Sequence, residues 1–414
     1  MKTIEKFSLG MGDRFAHEGK AQLQAVVQAG DAGINIVPVW NKSNREHTII
    51  KSKPADVRTE VNAAVKALGW GKGYYVDADH IGLATVDNFL SACDFFTLDV
   101  ADFTGKAAPE NEIEQFVKEQ GKYRGSLVIP GISAPFEITD DLLLRVASKF
   151  LLSIKEAGRI YRYIHERKGD AFVTEVSVDE TDTPQTPIEL FLILVMLARE
   201  GVPAQTIAPK FTGRFNKGVD YVGDLAQFEK EFDEDLAIIS FAVRELGLPA
   251  TLKLSIHSGS DKFSLYPIIN RLIKKHKAGL HVKTAGTTWL EEVIGLAEAG
   301  GDGLRIAQDI YAKAYPRAAE LIAPYAPVVD IDVSKLPAPE KVAKWTSAEF
   351  VTTLRHDQSC ASYNRQFRQF IHVSFKVAAE LGARYTDALK KYADVVSRNV
   401  TTNLLDRHIT PIFK

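Results

Sequence analysis

About eight times along this chain, a short apolar run rich in aromatic or β-branched residues stops at acidic, amide or imidazole side chains and gives way to an amphipathic stretch. The clearest case is Tyr74-Tyr75-Val76-Asp77-Ala78-Asp79-His80, set between Gly73 and Ile81. A strand this apolar belongs in a sheet buried on both faces, and its own solvation gives no reason for it to end in Asp-x-Asp-His. Taken alone, Asp77 and Asp79 read equally well as caps of the next helix, and His80 as a loop histidine. Recurrence of the pattern makes the case for chemistry.

Further strands are expected at residues 7–14, 34–40, 95–99, 171–178, 204–210, 251–257 and 280–285, with helices near 16–30, 55–68, 188–200, 224–246 and 288–299. Pro54 and Gly69 bracket the second helix in the usual capping asymmetry. The run 303–307 reads as one more short strand, which leaves the strand count open by one. Repeated strand-then-helix units require a parallel sheet with helices outside, and this number of them favours closure. The expected fold is therefore an α/β (β/α)8 TIM-type barrel over residues 1–345. A helical insertion at about 109–169 would pack on its outside, and a C-terminal helical extension over 346–414 would pack on the barrel.

Composition narrows the function. With 414 residues and 45% hydrophobic content the chain buries a large core, and 51 Lys and Arg against 53 Asp and Glu give no field for nucleic acid or a membrane surface. The start lacks the apolar core of a signal peptide, and the most apolar run, 188–198, falls short of the roughly 20 residues that span a bilayer. Cys93 and Cys360 form no Cys-x-x-Cys pair, which fits a reducing, cytoplasmic setting. Gly10-x-Gly12 lacks the third glycine of a dinucleotide fingerprint, and neither a Gly-Lys-Ser/Thr phosphate loop nor a Gly-x-Ser-x-Gly elbow occurs. A small neutral or anionic molecule is the expected partner, and homo-oligomerisation stays open.

In a parallel barrel all strand C-termini share one face, so polar residues there converge from distant parts of the chain. The inventory is Asp13, Arg14, Asn41, Lys42, Asp77, Asp79, His80, Asp99, Glu175, Lys210 and His257. His80, His257 and His281 are the candidate ligands for one divalent cation, zinc, manganese, nickel or cobalt, although His281 sits early in its strand, where it could lie below the top face. Asp79 and Glu175 are the candidate acid/base groups, with Glu175 equally readable as a ligand. Arg14, Asn41, Lys210, Lys283 and Arg305 are candidate substrate-binding residues, the cations being costly beside apolar strands unless they meet an anion or enolate oxygen. Lys253 reads equally as a barrel-interior lysine paired with an acid.

The runs Gly10-Met11-Gly12-Asp13-Arg14-Phe15, Val39-Trp40-Asn41-Lys42-Ser43-Asn44-Arg45-Glu46-His47, Val76-Asp77-Ala78-Asp79-His80-Ile81 and Lys283-Thr284-Ala285-Gly286-Thr287 resemble the tagaturonate/fructuronate epimerase family. The resemblance extends over nearly the whole chain, including His356, Asn364, Arg365 and the 403–408 segment. It implies a metal-dependent epimerase interconverting tagaturonate and fructuronate in hexuronate catabolism, with relatives acting on tagatose and fructose. It also implies Asp79 and Glu175 as opposed acid/base residues, and His80, His257 and His281 as the metal site. A metal-dependent aldolase and a non-catalytic sugar-binding barrel remain as alternatives.

Overall fold

A computed structural model describes residues 2–179 and 181–414. Its strands are β1 (Phe7–Gly12), β2 (Val37–Ser43), β3 (Tyr75–Ile81), β4 (Phe95–Asp99), β5 (Gly125–Leu127), β6 (Phe136–Ile138), β7 (Val173–Ser177), β8 (Thr206–Ala208), β9 (Lys253–Ile256) and β10 (Leu280–Ala285). Among the described residues eight of them, in the order β1-β10-β9-β8-β7-β4-β3-β2, close into an all-parallel barrel. The expected (β/α)8 fold is what forms. Closure brings β1 against β10 so tightly that a Cβ on Gly10 would lie 3.0 Å from the Lys283 Cα. Only glycine lets the two backbones approach in this way.

Three local expectations give way to better-satisfied alternatives. The second strand starts at Val37 rather than at 34, because the Ile34 amide closes the preceding helix by donating to the Ala29 carbonyl (2.8 Å). Asn41 and Lys42 consequently lie inside β2. The 303–307 run is helical, within Gly301–Ala314, where Gly303, Ile306, Ala307, Ile310 and Tyr311 are buried at helical spacing. The 109–169 stretch is not purely helical. Between helices Glu110–Glu119 and Asp140–Lys168 it contains the antiparallel pair β5–β6, and the long helix takes the place in chain order between β4 and β7.

The Pro187–Arg199 helix, apolar on every side, is buried from Pro187 through Leu197 except at Glu189. Glu189 instead completes a capping box with Thr186. The C-terminal helices fold back onto the barrel wall. Ala393–Leu404 packs on Thr288–Ala299, and a Cβ on Gly295 would meet the Val396 Cα at 2.7 Å.

The barrel interior is two-toned. Its lower part is an apolar plug of Ile4, Val37, Val39, Tyr75, Phe95 and Val173. Above it, register aligns Thr97 with Glu175 and Glu175 with Thr206, while His281 sits level with Ser8 and Ser255. Polar side chains at this depth need partners from one another.

A candidate metal centre at the open end of the barrel

A cavity of about 940 Å³ opens at the C-terminal ends of the strands. Asp79 and His80 are sequence neighbours and would normally point to opposite faces of β3. His80 adopts φ +55°, and the β3–β4 register slips between Ala78 and Ile81. This break in alternation turns both side chains towards the cavity, whose lining includes them. Left-handed backbone recurs just past β9, at Ser258 (φ +49°), and at the penultimate residue of β10, Thr284 (φ +58°). Strain of this kind, of order 1–3 kcal/mol per residue, is held only where surrounding contacts over-determine it.

His80 and His257 face each other, ring centroids 5.1 Å apart. Each has one nitrogen on a carboxylate: His80 Nδ1 lies 2.6 Å from Asp79 Oδ1, and His257 Nε2 lies 2.8 Å from Glu175 Oε1. The opposite nitrogens, His80 Nε2 and His257 Nδ1, are buried and meet no group other than Asp179. Both lie beside Asp179, at 3.9 Å from its Oδ1 and 3.1 Å from its Oδ2 respectively. The ligand atoms of His80, Asp179 and His257 all fall within 4.8 Å of one another. Two imidazoles, each oriented by a carboxylate on its far nitrogen, together with one carboxylate oxygen, form a donor set suited to a divalent transition metal.

Electrostatics agree. Burial alone would lower His257, yet Asp179 and Glu175 raise it to about 10. Burial would raise Asp179, yet His257 and His80 hold it well below the usual range. The group carries more carboxylates than fixed cations, and a divalent ion would take the place of the imidazole protons.

Beneath the triad lies Lys283, fully buried, with its ammonium 3.0 Å from Asp77 Oδ2, 2.8 Å from Asp79 Oδ1 and 3.1 Å from Glu175 Oε1. It also donates to Thr97 Oγ1. Burial opposes its charge, but the three acids outweigh burial and raise its pKa well above the normal value. Burial, offset only in part by Lys283, lifts Asp77 to about 7. Glu175 also accepts from Thr97 and Thr206, lies entirely inside, and is absent from the cavity lining, whereas Asp79 lines it.

Several sequence-derived assignments are therefore corrected. His281 is not at the cation group: its ring lies on the barrel floor, with Nδ1 2.9 Å from Ser8 Oγ and its face against Phe95, and burial lowers it to about 3. Asp179, just beyond the end of β7, stands where the third ligand was expected. Arg305 is on an outer helix, exposed and paired with Asp302. Lys253 is confirmed as an interior lysine but donates to the Glu5 carbonyl rather than to an acid.

Arg14, Asn41 and Lys210 do reach the cavity. Arg14 donates to Glu46 Oε1 (3.1 Å) and the His372 carbonyl (3.1 Å), and it stacks on Phe375. Lys210 donates to the Thr181 carbonyl. Asn41 Nδ2 lies 3.4 Å from Asp79 Oδ2.

A parallel barrel with a polar cavity at its C-terminal face, floored by carboxylate-backed imidazoles, is the build of an enzyme that works on a small polar molecule. Sequence comparison gives the family. Residues 1–391 match the tagaturonate epimerase family, and the chain belongs to that family of carbohydrate isomerases. The tagaturonate/fructuronate epimerase of Thermotoga maritima is 30% identical over 349 residues, covering 81% of this chain and 68% of that protein. The native crystal structure of the fructuronate-tagaturonate epimerase of Cohnella laeviribosi matches with a TM-score of 0.79 over 100% of this chain and 82% of that one, at 24% identity. A glycerol complex of the same enzyme matches at 0.78. These structures share the fold. Among the described residues no helix is long and apolar enough to cross a membrane.

Proposed function

We propose that this chain interconverts tagaturonate and fructuronate, or the matching neutral ketoses tagatose and fructose, with one divalent cation held by His80, Asp179 and His257. The observation that carries the reading is the pair of buried imidazole nitrogens that converge on Asp179 and meet no other group, while their far nitrogens rest on carboxylates. A cation bound there would polarise the substrate carbonyl and stabilise enolate charge.

The rest falls to the chain. Inverting the carbon one bond beyond the α position, whose hydrogen the ketone does not acidify, proceeds by cleavage of the bond to the α carbon. The hydroxyl gives up its proton to a carboxylate as it becomes an aldehyde and the ketone fragment becomes an enolate, and re-addition to the aldehyde's other face returns that proton. Asp79 lines the cavity and takes that role. Burial would raise its pKa, but Lys283 and His80 hold it well below the carboxylate range, so it stays ionised. Lys283 keeps Asp79 in place and stores the counter-charge. Glu175 acts through His257, fixing the ring rather than touching substrate.

The test is incubation of metal-loaded protein with tagaturonate, fructuronate, tagatose and fructose, followed by product analysis. Epimers are expected from at least one pair. Two smaller fragments would mark an aldolase, and no turnover in protein of verified metal content would overturn the reading.

A further inference from the structure

The two imidazoles of the cation group are each held from behind, His80 by Asp79 and His257 by Glu175. The third donor has a weaker footing. His80 lies within β3 and His257 directly follows β9, whereas Asp179 stands two residues beyond the end of β7, off the sheet, with its side chain 21% exposed. A carboxylate on a loop can turn about its own bonds and offer either oxygen or both. A cation site gains from such a ligand only when a neighbouring group fixes its direction.

Ser177 supplies that hold. Its Oγ donates to Asp179 Oδ1, while His257 Nδ1 lies 3.1 Å from the other oxygen, Oδ2. The serine is itself rigidly placed: it is buried, it ends β7, and its backbone is aligned with Asp99 of β4 on one side and Ala208 of β8 on the other. Residues two apart on a strand share a face, so Ser177 stands on the same side of β7 as Glu175. One strand thus underwrites two of the three donors, Glu175 through the His257 ring and Ser177 through the Asp179 carboxylate. A hydroxyl that donates to an ionised oxygen makes one of the stronger hydrogen bonds, enough to choose between two otherwise equivalent oxygens. Oδ1 becomes the committed oxygen, and Oδ2, on the His257 side, stays free.

We propose that Ser177 is a positioning residue of the cation centre: its hydroxyl ties Asp179 Oδ1 so that Oδ2 alone is offered as the third ligand atom. This rests on the reading of His80, Asp179 and His257 as a divalent-cation site. A carboxylate that gives one oxygen rather than two leaves one more position open for oxygen atoms of the substrate.

The test titrates chelator-treated protein with cobalt(II), read by calorimetry and by the visible absorption of the bound ion. Wild type is compared with Ser177→Ala, Ser177→Thr, His80→Ala, Asp179→Ala and the double variant Ser177→Ala/Asp179→Ala. Ser177→Ala lowers cobalt affinity by about 10–100-fold, the range for losing a group that orients a ligand, and shifts the visible bands. Ser177→Thr keeps a hydroxyl and restores both. In the Asp179→Ala background the same serine change costs less than about twofold, because nothing is left for the hydroxyl to hold. Equal losses in the two backgrounds mark a serine that serves the fold alone and overturn the assignment. If His80→Ala loses cobalt while Ser177→Ala keeps wild-type affinity and bands, the centre stands and the assignment falls. If His80→Ala binds cobalt as wild type does, the centre is misread and the assignment falls with it.

Discussion

Two histidine clusters sit within a few residues of each other at the tip of β9, and they differ in one respect. Around Asp261, every ring nitrogen has a partner. His356 Nδ1 lies 3.0 Å from Asp261 Oδ2 and its Nε2 meets Gln358. His408 Nδ1 donates to the Asn403 carbonyl (2.8 Å), leaving Nε2 to accept the Asp261 amide (3.1 Å). Arg368 closes the set with a 2.6 Å contact to Asp261 Oδ2. Around Asp179, by contrast, His80 Nε2 comes no closer than 3.9 Å to the carboxylate, and His257 Nδ1 has Asp179 Oδ2 at 3.1 Å as its one neighbour. Residue types are nearly the same in the two clusters. Saturation of the ring nitrogens, rather than proximity of imidazole and carboxylate, separates a clamp from a ligand site.

The largest expected effect breaks this contrast from the site's side. His80→Ala and His257→Ala should each abolish stoichiometric metal and lower turnover by about 10³-fold or more, with melting temperature little changed. Elemental analysis after dialysis checks the first outcome and single-turnover assays the second.

From the clamp's side, Asp261→Asn leaves Arg368 buried without its counter-charge and should cost about 3–5 kcal/mol in denaturant melts. Burial would raise the Asp261 carboxyl, but Arg368, His356 and His408 hold it well below the usual range. A depressed folded value means that stability is present above the unfolded pKa of about 4 and is lost as pH falls below it. The gap between wild type and Asp261→Asn should therefore close in acid.

The supporting carboxylates come next. Glu175→Gln and Asp79→Asn should weaken metal binding by about 10–100-fold. At saturating metal, only Asp79→Asn should retain a kcat deficit of about 10²-fold. A persistent deficit of that size in Glu175→Gln would return Glu175 to the chemistry.

A smaller effect concerns protons. Because Asp179 and Glu175 raise His257 to about 10, its ring must give up a proton to bind a cation. Affinity should rise by up to about tenfold per pH unit between pH 6 and 9, with proton release seen by calorimetry in buffers of different ionisation enthalpy. Least of all, Arg305→Ala should leave the melting temperature and the activity unchanged, since its pair with Asp302 is on the surface.

Alternation of apolar runs and amphipathic stretches made the barrel legible, because parallel strands buried on both faces leave a strong signal. It failed at 303–307, where a short apolar run fits either period and the helical stripe wins only when residues 310–314 are included. In the site, His80 and His257 were legible as strand tips. Asp179 was not: it stands after Ser177 and Val178, in a polar stretch that reads as a loop, whereas Glu175 was read as the strand tip. Its position in the middle of β7 is what puts Glu175 beneath the cavity. His281, second in β10, is deep for the same reason.

The clamp also sets a clock. Asp261 and His408 are 147 residues apart. At roughly 5–20 residues per second, a ribosome needs about 7–30 s to deliver the second after the first. For that interval the loop that follows His257 has been made while its His408 anchor has not, and for the first 107 of those residues Asp261 lacks Arg368 as well. The open face of this barrel is thus completed only after that stretch has been made, although the histidines that line it are made early.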